Sequence, residues 1–402
     1  MTADTFHSFT LDKGGHHPRP AAPYPLMLCA QRGLTLKPLI ADRLSRLEKQ
    51  PSDPALLMDL SLALLLYGRR DEALAYQRCA LQLARCYEDP AWQPDALRLL
   101  CLMAPGDLRA NMPIELLVHD RPVTLLKLFL VPGEDPPRRL PDHDLAIVAV
   151  SEDDGTNATL RMLSDLVDHW PRPIVNDPRH ILRLGRDTMS DLLADIPGLS
   201  CPPTRRHAAI DPHSFSPDAF PLLIRPVGSH AGQGLAHVAD RDQLAAYLAK
   251  ETDRDYYVAP FIDYRSPDGQ YRKYRVALID GRAFPCHMAI ADQWMLHYMN
   301  AGMDQDAGKR AEEQRFMERF DEEFGHRHRA VLSAISERVG LDVLTIDCAE
   351  DGAGNLVFFE ADHAGAIHDL DPTDIYPYKQ APMGRALDAF HAMLVKAASG
   401  SK

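Results

Sequence analysis

The spacing of apolar residues changes along the chain at about residue 105. Before it, apolar residues recur at three- and four-residue intervals, which predicts helices from about residue 36 to 104. After it, short β-branched or apolar runs alternate with helical stretches. The runs are VTLLKLFLV (123–131), DLAIVAV (144–150) and RPIVND (172–177), with the helical TLRMLSDLVDHW between the last two. This alternation predicts a parallel sheet covered by helices.

The chain beyond residue 180 combines further strands with helices. HILRLGRDTMSDLLADIPGL predicts an amphipathic helix that ends at Ile196-Pro197-Gly198, and RKYRVALIDGRAFPCHMAI predicts a hairpin that turns at Asp280-Gly281. Phenylalanines every four residues predict one or two helices over 310–339. A last hairpin, LDVLTIDCAED and NLVFFEAD, precedes the helix MGRALDAFHAMLVKAA. The fold class is therefore α/β (α+β).

The helical region 36–105 contains one hairpin that resembles a tetratricopeptide repeat. Tyr67-Gly68 forms its turn, and Ala73, Ala75 and Ala80 are small packing positions. It is either a platform that docks a peptide or protein, or a helical layer that packs on the rest of the chain. Residues 1–35, rich in Pro, His and Gly, are predicted to be a flexible arm.

Composition and charge narrow the class of protein. The 402 residues have a net charge of −13, which argues against nucleic acid as the main partner. We find no apolar run of membrane-spanning length and no signal peptide, so we expect no membrane partner. The seven cysteines are scattered and form no CxxC pair, which is typical of reduced thiols. We therefore expect a cytoplasmic protein.

The last hairpin carries acids in a pattern that suits a metal. Glu360 and Asp362 lie two residues apart, so their side chains share one face of a strand, and Asp347 on the preceding strand is expected opposite Glu360. Three carboxylates on adjacent strands suit Mg²⁺, which also takes oxygens from substrate phosphates. The alternative is an ordinary solvated strand end.

Two further sequence features, a glycine loop and an arginine, are candidates for ligand binding together with these acids. A glycine loop, with Gly228, Gly232 and Gly234, joins two predicted strands, where backbone N–H groups can approach a phosphate. It lacks the pattern of a P-loop or a dinucleotide fingerprint, and a purely structural hairpin is the alternative. Arg275, on a strand between the loop and the acids, is either a clamp for a phosphate or carboxylate or a surface ion pair.

These elements, in this order, resemble the ATP-grasp superfamily over residues 105–395. The sequence looks most like the branch that contains D-alanine–D-alanine ligase, glutathione synthetase and the ribosomal-protein glutamate ligases. The resemblance implies a parallel α/β domain at 106–180 before an ATP-grasp domain at 181–402. Within the latter it implies a glycine-loop lid at about 205–262 and a metal-binding part at about 268–395.

The resemblance also implies an ATP and Mg²⁺ site. The family's two magnesium ions fall on Asp347, Glu360 and Asp362, with Asp at 362 in place of the usual Asn. Its two phosphate-binding lysines fall on Arg186 and Arg225, which keep the charge and change the geometry. The loop residues implied over the phosphates are Gly228, Ser229, His230, Gly232 and Gly234. The adenine hinge falls on VAPFI, through the backbone of Ala259 and Phe261 but without the usual first acid, and the ribose falls on Asp263.

In the enzymes that this sequence resembles, the segment after the metal-binding acids lines the pocket of the acceptor substrate. The polar and aromatic residues near these elements are therefore candidates for that pocket. The catalytic residues proposed with Arg275 are His287 and His297, and those proposed to contact substrate are Trp294, Tyr298, His363 and His368. The alternative is that these are packed aromatics and surface histidines.

The resemblance implies an ATP-dependent carboxylate–amine ligase that forms an amide through an acyl phosphate. Its partners would be a small molecule or peptide with a carboxylate and an amine co-substrate, and many relatives are homodimers. The alternatives are an inactive nucleotide-binding scaffold, motivated by the missing lysines, and an ATP-grasp kinase.

Overall fold

The computed structural model of the protein describes residues 9–21, 23–229, 232–250 and 255–400. The helices are α1 Pro23–Gln31, α2 Lys37–Lys49, α3 Pro54–Leu66, α4 Arg70–Leu83, α5 Ile114–Val118, α6 Asn157–Leu166, α7 Pro178–Ile181, α8 Arg186–Leu193, α9 Arg241–Leu248, α10 Ala307–Glu318, α11 Phe324–Arg327, α12 Arg329–Val339 and α13 Gln380–Ala398. The strands are β1 Thr10–Asp12, β2 Cys86–Asp89, β3 Leu97–Met103, β4 Val123–Phe129, β5 Arg139–Pro141, β6 Leu145–Val148, β7 Ile174–Val175, β8 Leu199–Ser200, β9 Arg205–His207, β10 Leu222–Pro226, β11 Ala236–Val238, β12 Tyr256–Pro260, β13 Tyr271–Ile279, β14 Arg282–Ala291, β15 Val343–Glu350 and β16 Leu356–Asp362. The fold is α/β, as the sequence predicts. Within the described ranges, no helix is long and apolar enough to cross a membrane.

The first compact unit comprises the described residues of Met1–Leu182, Leu341–Val343 and His363–Lys402. Its main sheet has the order β2-β4-β3-β6-β7, in which β3, β4, β6 and β7 are parallel and β2 is antiparallel to β4. Every residue of β4 and β6 is buried, because strands of a parallel sheet are covered on both faces. The predicted parallel sheet is therefore confirmed.

The second compact unit comprises the described residues of Arg183–Gly340 and Leu344–Asp362. It contains an antiparallel sheet of order β11-β10-β12-β9 and a second sheet of order β14-β13-β15-β16-β8. The first of these sheets has its own small core, to which α9 contributes. The core side chains are Leu222, Ile224, Val238, Leu244, Tyr256 and Val258.

The hairpin turns follow from local chemistry. Asp280 and Gly281 have φ values of 47° and 73°, the left-handed conformation that a two-residue turn between β13 and β14 requires. Gly68 has a φ of 87° and follows α3, so the predicted turn between α3 and α4 is also confirmed.

Three expectations about local structure are wrong. The helical region ends at Leu83, and residues predicted as helix up to 104 form β2 and β3. A short apolar run such as LRLLCLM does not distinguish a buried strand from a helix by its periodicity, and Pro90 and Pro94 separate it from the preceding strand. The arm at 1–35 contains β1 and α1 among its described residues. The helix predicted at 180–199 is divided, because Gly185 precedes a new helix, α8.

The predicted domain boundary at 180/181 lies two residues from the start of the second unit. The terminal segment His363–Lys402 belongs to the first unit, although the sequence places it in the last domain. The reason is packing, since α13 contacts α5, β6 and β7.

Candidate active site

A cavity of about 360 Å³ lies within the second unit. Its walls come from β10 and β12 of the antiparallel sheet, from β13, β15 and β16 of the other sheet, and from the start of α8. Its volume is in the range of small-molecule sites. The predicted site residues that line it are Arg186, Arg225, Gly232, Ala259, Phe261, Arg275, Trp294, His297, Asp347, Glu360 and Asp362.

The acidic hairpin of β15 and β16 brings the three predicted metal ligands together at the cavity. Asp347 is paired in register with Glu360, and Thr345 with Asp362. A bulge between Asp347 and Cys348 interrupts the ladder. Glu360 and Asp362 both line the cavity, as side chains two residues apart on one strand should.

The buried Asp347 and the partly exposed Glu360 are each paired with cations from neighbouring elements. Arg275 donates from Nε to Oδ1 of Asp347 at 2.7 Å and from Nη2 to Oδ2 at 3.1 Å, a two-pronged ion pair. Lys273 Nζ lies 2.8 Å from the same Oδ2. Burial alone would raise the pKa of Asp347, but Arg275 and Lys273 hold it well below its usual value. The carboxylate is therefore ionised and surrounded by positive charge.

Glu360 has a different cationic partner. Arg186, the first residue of α8, donates to Glu360 Oε2 and, at 3.3 Å, to the carbonyl of Phe359. Burial opposes ionisation, yet Arg186 lowers the pKa of Glu360 below its ordinary value. Gly185 is the N-cap of α8, and the guanidinium of Arg186 contacts the end of β16.

The donor chemistry at the hairpin fits a hard cation that arrives with further oxygens. In the described part of the chain, no three His, Cys, Asp or Glu side chains are arranged to hold a metal ion by themselves. Both oxygens of Asp347 and one oxygen of Glu360 contact cationic side chains. Mg²⁺ commonly uses one or two carboxylates together with substrate phosphates. The three carboxylates fit that mode of binding, and they do not form a complete protein cage.

Arg225 on β10 is a partly buried cation with a different environment. It donates from Nε to Ser229 Oγ at 3.2 Å and from Nη2 to the Ser229 carbonyl. Among the residues that the structure describes, no carboxylate lies within ion-pair distance of it. Burial, together with the nearby Arg186, lowers the pKa of Arg225 to about 10. A guanidinium in this position is stabilised by an anionic ligand.

The side chains around the cavity have an excess of positive charge. Of the described residues that line it, four are basic and three are acidic, and they are Arg186, Arg225, Lys273, Arg275, Asp347, Glu360 and Asp362. His297 also lines it, and burial, Lys273 and Arg275 lower the pKa of its ring, which is therefore neutral near pH 7. The whole chain has a net charge of −13, so the positive excess of the cavity lining is a local feature that would favour an anionic ligand.

The glycine loop contributes less to the cavity than the sequence suggests. Of its predicted phosphate contacts, Gly232 lines the cavity, while Gly228, Ser229 and Gly234 do not, and His230 lies outside the described residues. Gly234 has a φ of 66°, and a Cβ there would lie 2.7 Å from Pro226 Cδ. This glycine is required by the close approach of the two strands.

Aromatic side chains form another part of the wall. The ring of Phe261 lies 4.6 Å from His237 and 5.7 Å from Trp294, between ring centres. Tyr264 donates its hydroxyl to the Trp294 carbonyl at 2.5 Å, which fixes the segment that carries Trp294. The backbone N–H of Phe261 donates to Pro221, so only its carbonyl and ring remain for the predicted base contact.

Several predicted substrate residues lie away from the lining. The ring of His287 lies 4.6 Å from that of Tyr298, whose hydroxyl donates to the buried Glu313 at 3.1 Å. Glu313 also accepts the backbone N–H of Met288, so α10 anchors β14 and the turn at Tyr298. In this arrangement His287 and Tyr298 support the wall.

The remaining predicted contacts lie elsewhere. Asp263, the predicted ribose ligand, is half exposed and accepts the backbone N–H of Arg265. His363 and His368 belong to the first unit, where burial lowers the pKa of His363 to about 4. The roles assigned to these three residues remain predictions.

Lys273 is a functional candidate that the sequence analysis missed. It precedes Arg275 by two residues in RKYRV, so both side chains share one face of β13 and reach the same acid. The signal was the alternation of basic residues on one strand next to an acidic hairpin. Its partner on β15 was not identifiable without the pairing of the strands.

Comparison with known proteins finds distant structural likenesses. No protein-family model matches the chain, and no curated protein matches it. A D-alanine–D-alanine ligase from Bacillus anthracis complexed with ATP has a TM-score of 0.46 and 13% identity, over 76% of this chain and 100% of that one. VanG D-Ala:D-Ser ligase from Enterococcus faecalis has a TM-score of 0.46 and 13% identity, over 75% of this chain and 100% of that one. A RimK domain ATP-grasp protein from Sphaerobacter thermophilus has a TM-score of 0.44 and 17% identity, over 75% of this chain and 100% of that one.

Proposed function

We propose that the chain is an ATP-dependent carboxylate–amine ligase of the ATP-grasp type. The observation that carries the proposal is the charge arrangement of the cavity. A hairpin presents three carboxylates, four cations surround them, and Arg225 has no carboxylate partner among the described residues. Carboxylates that suit Mg²⁺, beside a guanidinium group that has no carboxylate partner, are suited to a metal–triphosphate complex.

In the proposed reaction, an oxygen of the substrate carboxylate attacks the γ-phosphorus and the bond to ADP breaks. An amine then attacks the acyl carbon, phosphate leaves with the bonding electrons, and the amine loses a proton. Mg²⁺, when bound, would neutralise charge on the phosphates and would be held by Asp347, Glu360 and Asp362. Arg186 and Arg225 would bind the phosphate chain, and Arg275 would position the acyl phosphate.

His297 has a defined part in this scheme. Its Nδ1 accepts the backbone N–H of Met299 at 3.3 Å, so in the neutral ring the proton is on Nε2. It would therefore donate a hydrogen bond to an oxygen of the substrate, and it is not poised as the base for the amine. The proton of the amine would leave to solvent or to the released phosphate.

A nucleotide-binding scaffold without turnover is the second candidate. It is favoured by the ion pairs that already engage Asp347 and Glu360 and by the use of the Phe261 N–H within the protein. The two functions share nucleotide binding and differ in product formation. An ATP-grasp kinase would differ from both because it would release a stable phosphorylated product.

The first test is a calorimetric titration of the full chain with ATP and Mg²⁺, repeated on Asp347→Ala/Glu360→Ala. We expect binding by the wild type and a loss of at least tenfold in affinity in the double variant. The control is Glu318→Ala/Asp321→Ala, which removes two exposed acids and should leave binding unchanged. No binding by the wild type would contradict the proposal.

ADP release then separates the functions. Incubation with ATP, Mg²⁺ and pools of carboxylates and amines should release ADP and phosphate together and consume the amine. Nucleotide binding without ADP release in any pool would favour the scaffold. ADP without free phosphate would favour the kinase.

A further inference from the structure

Asp347 has more cationic partners than its charge requires. It is 4% exposed, and Arg275 alone contacts both of its oxygens and neutralises it. Lys273 adds a second positive charge, 2.8 Å from Oδ2. A buried acid is balanced by one cation, so the ammonium is not needed to compensate its burial.

Lys273 is also placed where it can leave the acid. Its side chain is 18% exposed and lines the cavity, with Nζ 5.9 Å from the ring centre of Phe359. Its ammonium is a point charge on a flexible four-carbon stem, whereas Arg275 is held by a planar two-pronged contact. Of the two cations on Asp347, Lys273 is therefore the one that can exchange.

A divalent metal bound to Oδ2 of Asp347 would lie about 2 Å from that oxygen. An ammonium at 2.8 Å on the same oxygen would then be within a few ångströms of a dication, and the two repel. The two cations consequently compete for one ligand atom.

We propose that Lys273 competes with the divalent metal for Asp347 Oδ2, so that the metal binds well only together with a phosphate chain. The inference rests on the proposed function, because it assigns Asp347 as a metal ligand. When metal and nucleotide enter together, the ammonium moves from the carboxylate to the phosphate oxygens. The phosphate chain thus replaces the ion pair that the ammonium loses with Asp347. Without nucleotide, the metal meets an Asp347 oxygen that Lys273 already occupies.

Removal of Lys273 therefore has two opposite effects. Lys273→Met frees Oδ2 of one competitor and should increase affinity for metal alone. The same change removes a cation from the phosphate chain and should decrease affinity for metal and nucleotide together. A residue that merely supported the fold would not move the two affinities in opposite directions.

The experiment measures Mn²⁺ binding from the free-ion signal in electron paramagnetic resonance, on the full chain and without nucleotide. We expect Lys273→Met to bind Mn²⁺ at least tenfold more tightly than the wild type. Lys273→Arg, which keeps the charge, should resemble the wild type. Lys49→Met, the same substitution at an exposed position of α2, controls for the change in net charge.

Calorimetry with Mn²⁺ and ATP provides the second half of the test, and we expect Lys273→Met to bind at least threefold more weakly. Unchanged or weaker Mn²⁺ affinity without nucleotide in Lys273→Met would overturn the competition, even where Mn²⁺ and ATP still bind. Failure of the wild type to bind Mn²⁺ and ATP would instead overturn the proposed function and this inference with it. If Lys273→Met does not fold, Lys273→Gln, of similar length, replaces it under the same criteria.

Discussion

Two clusters of charged side chains, one in each unit, differ in how their charges are balanced. In the first unit, Lys127 Nζ lies 3.0 Å from Glu115 Oε1, and each side chain is about one-tenth exposed. In the second unit, four cations and three acids surround an open cavity. The first cluster is centred on a matched pair, and the second has more positive than negative side chains.

We interpret the first arrangement as structural and the second as a candidate for ligand binding. A matched buried pair contributes little net stability, but the loss of one partner leaves a buried charge without compensation. An unmatched set keeps part of its electrostatic potential available for a ligand. Removal of a cation should therefore destabilise the first cluster, and in the second it should mainly weaken ligand binding.

The largest effect is expected from Lys127→Met, which leaves Glu115 buried without its partner. The free energy of unfolding of the first unit should fall by about 3–5 kcal/mol. Urea unfolding of the full chain, followed by circular dichroism, measures it. Lys49→Met is the exposed control and should change stability by less than about 0.5 kcal/mol.

The double variant Lys127→Met/Glu115→Leu sharpens this result. Because both charges are removed, most of the lost stability should return. A double variant as unstable as the single one would mean that packing around Lys127, rather than its charge, holds the unit together.

In the second cluster, Glu360→Ala should act on turnover rather than on folding. It removes a carboxylate that would hold metal and a partner of Arg186, so kcat/KM for ADP formation should fall by about 10²–10³-fold. Steady-state kinetics with an identified amine measures this. The melting temperature should stay near that of Glu318→Ala, an exposed control, and retained activity would remove Glu360 from the site.

The local parts of this site were predictable from the sequence. Two-residue alternation placed Glu360 and Asp362 on one face, and the short connection placed Asp347 opposite Glu360. Both predictions depend only on neighbours along one hairpin. The same holds for the Asp280-Gly281 turn.

The contacts between distant segments were not predictable. Arg186 meets Glu360 across 174 positions, and Lys273 meets Asp347 across 74, so neither pair has a local signal. Strand β3 was missed because most of its residues are buried, and a run buried on both faces has no alternation. Tertiary pairing decides each of these features.

A smaller effect, with opposite signs for binding and stability, is expected from Arg225→Met. Without its guanidinium the affinity for ATP with Mg²⁺ should fall about tenfold, the loss of one charged phosphate contact. The unfolding free energy without ligand should rise by about 1 kcal/mol, because a partly buried cation without a described carboxylate at ion-pair distance is removed.

Arg225→Lys is the matched variant, since it keeps the charge and loses the planar, two-pronged geometry of the guanidinium. It should retain an intermediate affinity for ATP with Mg²⁺. Calorimetry measures the affinity for ATP with Mg²⁺, and urea unfolding measures the free energy of unfolding. A loss of stability in Arg225→Met would instead place Arg225 with Lys127 as a structural cation.

The first unit also contains a charge pair of intermediate exposure, at His119. Its Nδ1 lies 3.0 Å from the Leu116 carbonyl and its Nε2 lies 3.1 Å from Asp369 Oδ2, so both ring nitrogens face acceptors. Tyr24 stacks on the ring at 4.0 Å and donates to the same carboxylate. Burial opposes protonation, but the hydrogen bond and charge of Asp369 raise the pKa of His119 above its ordinary value.

A raised pKa in the folded state makes this pair stabilising below the ordinary histidine pKa of about 6.5, and the contribution disappears as pH rises through the raised value. His143 and His363 have lowered pKa values and act in the opposite direction, so only a difference between variants isolates His119. His119→Gln should lose about 1 kcal/mol relative to wild type at pH 6 and less at pH 8.5. Urea unfolding at both pH values measures this, with the exposed His169→Gln as control. An equal loss at both pH values would mean that the ring acts through its stacking on Tyr24, and that its charge contributes nothing.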